Sequence, residues 1–100
     1  MHVISKRGLL ILADSRRLDD AVRRELSQWY RIARSARWDS LAGVRVHFPA
    51  ADRIGSVLVF NIGHNRWRLI VRHSFPEQRL FVKALLTHKE YDRKDWLKWS

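Results

Sequence analysis

The sequence predicts an α+β domain, and three patterns in its 100 residues support this prediction. Apolar side chains recur every three or four positions through residues 18–36, which is typical of an amphipathic helix. From Arg53 onward the apolar spacing changes to two, which is typical of β-strands. Turn residues, namely Gly63, Asn65 and Pro76, divide this second half into three segments. We therefore expect a helical first half followed by a three-stranded antiparallel meander.

The first half is expected to contain one short strand and two helices. His2 to Ile4 alternates like a strand, and the leucine-rich run from Lys6 to Asp14 has the length of a short buried helix. Asp14 and Ser15 offer N-cap side chains for the longer helix of residues 18–36. The length of the chain fits a single domain of residues 1–100.

The remaining segments follow from turn signals and alternation. Residues 38–49 are interpreted as a connector with some ordered structure, and strands are predicted over 57–62, 66–75 and 79–87. Alternation assigns one face to Trp67, Leu69, Val71, His73, Leu80, Val82, Ala84 and Leu86, and the other to Arg66, Arg68, Ile70, Arg72, Arg79, Phe81, Lys83, Leu85 and Thr87. One face is therefore expected to be the core and the other basic. Residues 88–100 are predicted to form a short helical or irregular tail, with Trp96 and Trp99 as anchors.

The charge composition predicts a polyanionic partner. The net charge is +10, and each half of the chain carries ten Lys/Arg against five Asp/Glu. Fifteen of the twenty basic residues are arginine, which favours phosphate or carboxylate partners. A chain without cysteine, whose longest early apolar run is only Leu9–Ala13, is expected in the cytoplasm, without a membrane association.

Seven arginines lie in the long helical pattern or directly beside its ends, off its apolar stripe. Two interpretations remain open for them: a solvated face, or a surface that docks on RNA or an acidic protein. They are Arg16, Arg17, Arg23, Arg24, Arg31, Arg34 and Arg37.

Several strings resemble a known family. A strand, two helices and three antiparallel strands on a small basic chain are the plan of the RelE superfamily. Within it, residues 59–63 (VFNIG), Asn65, residues 68–70 (RLI) and residues 87–92 (THKEYD) resemble the HigB toxins. Residues 1–5 (MHVIS) and 48–52 (FPAAD) are similar to family members at corresponding places.

The resemblance implies an endoribonuclease that cleaves messenger RNA, usually in the ribosomal decoding site. It also implies neutralisation by a HigA-type antitoxin with a helix-turn-helix domain. Such toxins contact operator DNA only through their antitoxin. No cofactor is implied.

Metal-free RNA cleavage needs a base near the 2′-hydroxyl, cations around the phosphate and an acid at the 5′-oxygen. Histidine suits proton transfer near neutral pH, so His88 is the first candidate. Tyr91 is a candidate to stack on a base, to orient the 2′-hydroxyl, or to act as a base if nearby cations lower its pKa. Arg68 and Lys83 are the candidates for the scissile phosphate.

The remaining candidates are expected to bind RNA: Arg72 and Lys89 in support of the phosphate contacts, Arg66 on the same basic face, and Asn61 and Asn65 at the backbone or base edges. The histidines lack the paired spacing of an HExxH site, so a metal site is not expected.

Structural interpretations stay open beside these roles. His88 fits a surface residue, Tyr91 a residue that packs the tail on the sheet, and Asn61 and Asn65 residues that cap the hairpin. At the level of function, the same basic surface fits a non-catalytic RNA- or ribosome-binding module. A degenerate toxin that only binds its antitoxin as a co-repressor is a third hypothesis.

Overall fold

The computed structural model describes residues 1–4 and 6–100 and has the α+β architecture that the sequence predicts. The elements in chain order are β1 (His2–Ile4), α1 (Lys6–Ser15), α2 (Asp20–Ser35), α3 (Leu41–His47), β2 (Asp52–Ile54), β3 (Val57–Ile62), β4 (Trp67–Ser74), β5 (Arg79–Thr87), α4 (His88–Asp92) and a closing 3-10 helix (Asp95–Trp99). Ser5, which ends the first family-like string, lies outside the described residues. Within the described ranges, every helix falls short of the length and apolar character needed to cross a membrane.

The sheet contains the predicted meander, but it is larger and mixed. Strands β3, β4 and β5 are antiparallel neighbours, as predicted, and the full order is β1-β5-β4-β3-β2. The N-terminal strand pairs in parallel with β5, with Val3 opposite Leu80. Strand β2 pairs antiparallel with β3, with Asp52 opposite Val59. The prediction of a three-stranded sheet was therefore incomplete. Strand β2 is too short to give a sequence pattern, and β1 joins the sheet by pairing with β5, which is distant in the sequence.

Two helix predictions need correction. The connector of residues 38–49 contains α3, and the Ser40 hydroxyl caps this helix by accepting a hydrogen bond from the Gly43 amide at 3.2 Å. The cap of α2 is Asp19, whose Oδ1 accepts from the Val22 amide at 2.9 Å. Asp14 and Ser15 instead end α1, and the chain turns before α2 begins.

The two faces of the sheet carry separate apolar clusters. Helices α1 and α2 pack on the first face, where Leu26, Trp29, Phe60 and Leu69 are almost completely buried. On the second face a smaller cluster forms around Trp96 of the 3-10 helix. The expectation of one apolar and one basic face was therefore wrong in part, since the second face also contains a small core.

A β-bulge at Lys83 changes the predicted facing of β5. Ile70 pairs with Ala84 and Val71 pairs with Val82, so Lys83 is the extra residue between the two pairs. Beyond the bulge the alternation is reversed: Leu85 joins the first cluster and Ala84 borders the second. Simple period-two alternation placed both residues on the wrong face.

Candidate active site

The turn between β3 and β4 is held in an unusual backbone conformation. Gly63, His64 and Asn65 have consecutive φ angles of +66°, +53° and +69°. A Cβ atom on Gly63 would lie 3.2 Å from the Val22 Cγ2 and 3.3 Å from the Trp67 Cδ1, so the position has little room for a side chain. The Gly63 amide also donates to the Glu25 Oε2 of α2 at 2.9 Å. Contacts to α2 therefore help to fix this turn.

The backbone carbonyl of Asn65 brings two candidate catalytic residues together. It accepts a hydrogen bond from the Arg68 Nη1 at 2.8 Å and is also in contact with the His88 Nε2. Arg68 additionally donates from the same nitrogen to the Trp67 carbonyl at 3.3 Å. A turn oxygen thus links a strand residue to the first residue of α4, which is 23 positions away from Asn65.

Tyr91 is the third member of this group. The Arg68 guanidinium carbon lies 5.7 Å from the centroid of the Tyr91 ring, which is within the range of a cation–π contact. The Tyr91 ring stacks on Trp96, with centroids 5.0 Å apart and an interplanar angle of 8°. Trp96 also donates from its indole nitrogen to the Tyr91 carbonyl at 2.9 Å. Arg68, His88 and Tyr91 therefore lie in one cluster, which we call the Arg68 cluster.

Burial raises the pKa of the Tyr91 phenol above its usual value of 10.0, with a further contribution from the Asp52 carboxylate and opposition from Arg68. The phenol is therefore protonated at neutral pH. The conditional role of Tyr91 as a base, which required cations to lower its pKa, does not agree with this environment. A phenol that keeps its proton suits hydrogen-bond donation, proton donation or stacking.

A capping box positions the cluster residues that α4 supplies. The Thr87 hydroxyl accepts from the Glu90 amide, and the Glu90 carboxylate accepts from the Thr87 amide at 2.9 Å. The other Glu90 oxygen forms an ion pair with Arg16 at 2.9 Å. The Arg16 hydrogen bond and that of Thr87 lower the pKa of Glu90. These contacts tie the start of α4, and hence His88, to the end of α1.

The other predicted phosphate ligands are not members of the Arg68 cluster. Arg72 is four residues along β4 from Arg68, which corresponds to about 13 Å. Ile70 lies between them on the same face, and Trp96 packs against it. Lys83 is the exposed bulge residue at the level of Ile70, and Lys89 is exposed on α4.

The predicted hairpin ligands have different surroundings. Asn61 is the direct strand partner of Arg68. Arg66 points toward α2, where its guanidinium lies 3.5 Å from Asp19 and donates to the Gly63 carbonyl at 3.2 Å. Asn65 contributes its backbone carbonyl to the Arg68 cluster, a contact that its side chain does not determine.

Four of the predicted RNA-contacting cations have no acidic partner among the described residues within 4 Å. They are Arg68, Arg72, Lys83 and Lys89. Arg66, in contrast, is partly neutralised by Asp19. The end of the second face that holds Arg68 therefore has positive charge available for a polyanion.

A family model matches residues 22–94, which is well over half of the chain. Its description is the RelE-like toxic component of a toxin–antitoxin system. The chain belongs to the HigB toxin family. All of the candidate site residues named from the sequence lie inside the matched range.

Individual relatives point to the same family. The mRNA interferase HigB of Escherichia coli O6:H1 is 30% identical over 96 residues, which cover 93% of this chain and 90% of the relative. The mRNA interferase toxin HigB of Escherichia coli K12 is 35% identical over 48 residues, which cover 45% of this chain and 46% of the relative. The chain thus aligns with less than half of the length of the K12 relative.

Sequence reasoning did not identify the residues that support the site of this HigB family member. Arg16 and Glu25 hold α4 and the hairpin turn, and both come from the helical half of the chain. Glu25 borders the apolar stripe of α2, but no local pattern shows that it reaches Gly63. The capping box was visible as a Thr followed three residues later by a Glu, at Thr87 and Glu90, and it could have been predicted.

Proposed function

We propose that this HigB family member is an endoribonuclease toxin of a type II toxin–antitoxin system. It cleaves messenger RNA by attack of a ribose 2′-hydroxyl on the adjacent phosphate. The observation that supports this best is the meeting of Arg68, His88 and Tyr91 beside the Asn65 carbonyl. The relatives' name, mRNA interferase, supports the same reaction. The family's description as RelE-like also leads us to propose a RelE-like fold.

Arg68 is the phosphate ligand in this proposal. Among the described residues its guanidinium has no acidic partner, and its hydrogen bonds go to two backbone carbonyls. It is therefore free to bind the nonbridging oxygens of a phosphate and to stabilise the negative charge that develops on them. This contact matters most in the transition state, where that charge is largest.

His88 and Tyr91 divide the proton transfers. When the Nε2 hydrogen of neutral His88 is donated to the Asn65 carbonyl, Nδ1 is left to remove the 2′-hydroxyl proton. The 2′-oxygen then bonds to phosphorus, and the bond from phosphorus to the 5′-oxygen breaks. The protonated Tyr91 phenol donates its proton to the departing 5′-oxygen, and the tyrosinate regains a proton from the His88 imidazolium. The products are a 2′,3′-cyclic phosphate and a 5′-hydroxyl.

The remaining cations extend the surface that binds RNA. Lys83, Lys89 and Arg72 lie outside the Arg68 cluster, so we assign them to phosphates further along the strand or to ribosomal RNA. Cleavage is proposed to occur on the translating ribosome. A HigA-type helix-turn-helix antitoxin is proposed to neutralise the toxin and to connect it to operator DNA.

Expression in bacteria with matched arginine variants tests the reaction. The wild-type chain is expected to arrest growth and to yield messenger RNA fragments with 5′-hydroxyl ends. Arg68→Ala should lower cleavage about 100-fold, as expected for the loss of one group that stabilises the transition state. Arg72→Ala, which removes the same charge from the same strand, should lower it less than about threefold through nonspecific attraction alone.

The outcomes also separate the alternatives. Growth arrest by the wild type without RNA cleavage would favour a non-catalytic ribosome-binding module. A folded wild type that neither arrests growth nor cleaves RNA, yet binds the antitoxin encoded next to it, would favour a degenerate co-repressor. Equal effects of Arg68→Ala and Arg72→Ala would contradict the assigned phosphate site.

A further inference from the structure

We infer that an open cavity beside the Arg68 cluster binds the base of a nucleotide next to the cleaved phosphate, with preference for bases that carry an exocyclic amine. This inference rests on the proposed function, because it names a specificity site for that reaction. The cavity lies between α2 and the end of β3 and has a volume of about 560 Å³. Pockets that bind small organic groups have volumes of roughly 300–1,000 Å³.

The walls of the cavity have the polar groups that read base edges. Three amide residues line it, Asn61, Asn65 and Gln28, together with the carboxylate of Glu25 and the guanidinium of Arg24. Asn and Gln amides pair with the donor and acceptor edges of bases, and carboxylates accept from exocyclic amines. Apolar surface next to these groups accommodates the faces of a base.

The cavity adjoins the proposed reaction centre through two residues. Asn61 lines the cavity and is the direct strand partner of Arg68, so their Cα atoms are about 5 Å apart. Asn65 also lines the cavity, while its carbonyl contacts Arg68 and His88. A nucleotide whose phosphate is bound by Arg68 therefore has the cavity within reach of its base.

Glu25 determines the expected base preference. Its Oε2 accepts from the Gly63 amide, which holds the carboxylate in place and leaves Oε1 to accept from a ligand. Adenine, cytosine and guanine each offer an exocyclic amine, whereas uracil has none. Arg24 has no described acidic partner within 4 Å and attracts the nucleotide's phosphate, so the complete cavity favours a nucleotide over a neutral ligand.

Titration of the full chain with nucleoside monophosphates, followed by NMR, tests the cavity independently of cleavage. Adenosine, cytidine and guanosine 5′-monophosphates are expected to bind about tenfold more tightly than uridine 5′-monophosphate, with shifts at the Gly63 amide and the Gln28 side chain. In Glu25→Gln the amide oxygen still accepts from Gly63, but the preference should fall below about threefold because the second acceptor is replaced by a donor. Gln28→Ala should weaken binding of all four, and Ser27→Ala, on the same helix outside the cavity, should change nothing.

Sequencing of cleavage ends completes the experiment. The wild type should cleave beside amine-bearing bases, and Glu25→Gln should lose that bias, whereas the control Ser27→Ala should keep both the bias and the cleavage rate. If the wild type cleaves RNA and Glu25→Gln keeps the same base preference, only the cavity inference is overturned. Nucleotide preference in solution without any RNA cleavage would overturn the proposed function but support the cavity. Shifts confined to Arg68 and its neighbours, with none at Gly63 or Gln28, would also overturn the inference.

Discussion

The two faces of the sheet differ in how they are covered. The first face is covered by helices, and its core includes Trp29, Trp38, Phe48 and Phe60 in mutual ring contact at centroid distances of 5.2–6.3 Å. The second face is covered by a short C-terminal segment whose one buried side chain among the described residues is Trp96. The proposed chemistry lies where the cover is thin, because cations need solvent and substrate needs access. Stability and catalysis are therefore expected to depend on different faces.

Phe60→Ala is the largest expected perturbation of the first face. Phe60 is 1% exposed and contacts three aromatic rings, so the cavity left by its removal should lower the free energy of unfolding by about 3–5 kcal/mol. Urea denaturation measures this change. RNA cleavage per folded molecule should stay near the wild-type value. As a control, Ile11→Ala removes an exposed apolar side chain and should change stability by less than about 0.5 kcal/mol.

Trp96→Leu tests the second face. The substitution removes the ring that stacks on Tyr91 and the indole donor to the Tyr91 carbonyl, so unfolding should become easier by about 2 kcal/mol. Unlike Phe60→Ala, it should also reduce cleavage per folded molecule, since Tyr91 loses its support. Both quantities are measured at a temperature where each variant is more than about 95% folded. Unchanged cleavage in Trp96→Leu would contradict the expectation that catalysis depends on the second face.

Glu90→Gln is expected to have the smallest effect, and that effect should depend on pH. Hydrogen bonds from Arg16 and Thr87 hold the pKa of Glu90 below its usual value of 4.5. A lowered carboxyl pKa stabilises the folded state above the unfolded-state pKa, and this contribution is lost as pH falls through the folded-state pKa.

Glutamine keeps the capping geometry and removes the charge. The variant should therefore be less stable than the wild type by at most about 1 kcal/mol at pH 7, because the ion pair is partly exposed. The difference should shrink steadily below pH 4.5, which thermal unfolding at pH 7, 4 and 3 measures. A difference that persists undiminished at pH 3 would mean that the carboxylate's charge is not the cause.

The parts of the fold that could be predicted are those set by local periodicity. The long helix, the three-strand meander and the two turns follow from spacing and turn residues within a few positions of one another. Strand β2 has three residues, too few for a pattern, and the pairing of Val3 with Leu80 joins segments that no local pattern connects. The bulge at Lys83 puts Leu85 on the opposite face from the one predicted. Period-two spacing in the sequence does not reveal one extra residue, so the bulge could not be predicted.

The candidate site also has some residues that the sequence indicated and others that it did not. The family-like strings indicated Arg68, His88 and Tyr91, and the structure brings these three together. Glu25 could not be linked to the hairpin from sequence, since their contact spans 38 residues. The separation of Arg72 from Arg68, in contrast, follows from their spacing of four residues along one strand and could have been predicted.

The contact at Asn65 has a consequence for genetics. The group that both Arg68 and His88 contact is a main-chain oxygen, so exchanging the side chain does not delete it. Tolerance at this position should instead follow the backbone: its φ of +69° admits glycine, asparagine and aspartate readily and strains β-branched residues. An alanine scan would underestimate the importance of this position, whereas a comparison of Asn65→Gly with Asn65→Val would reveal it.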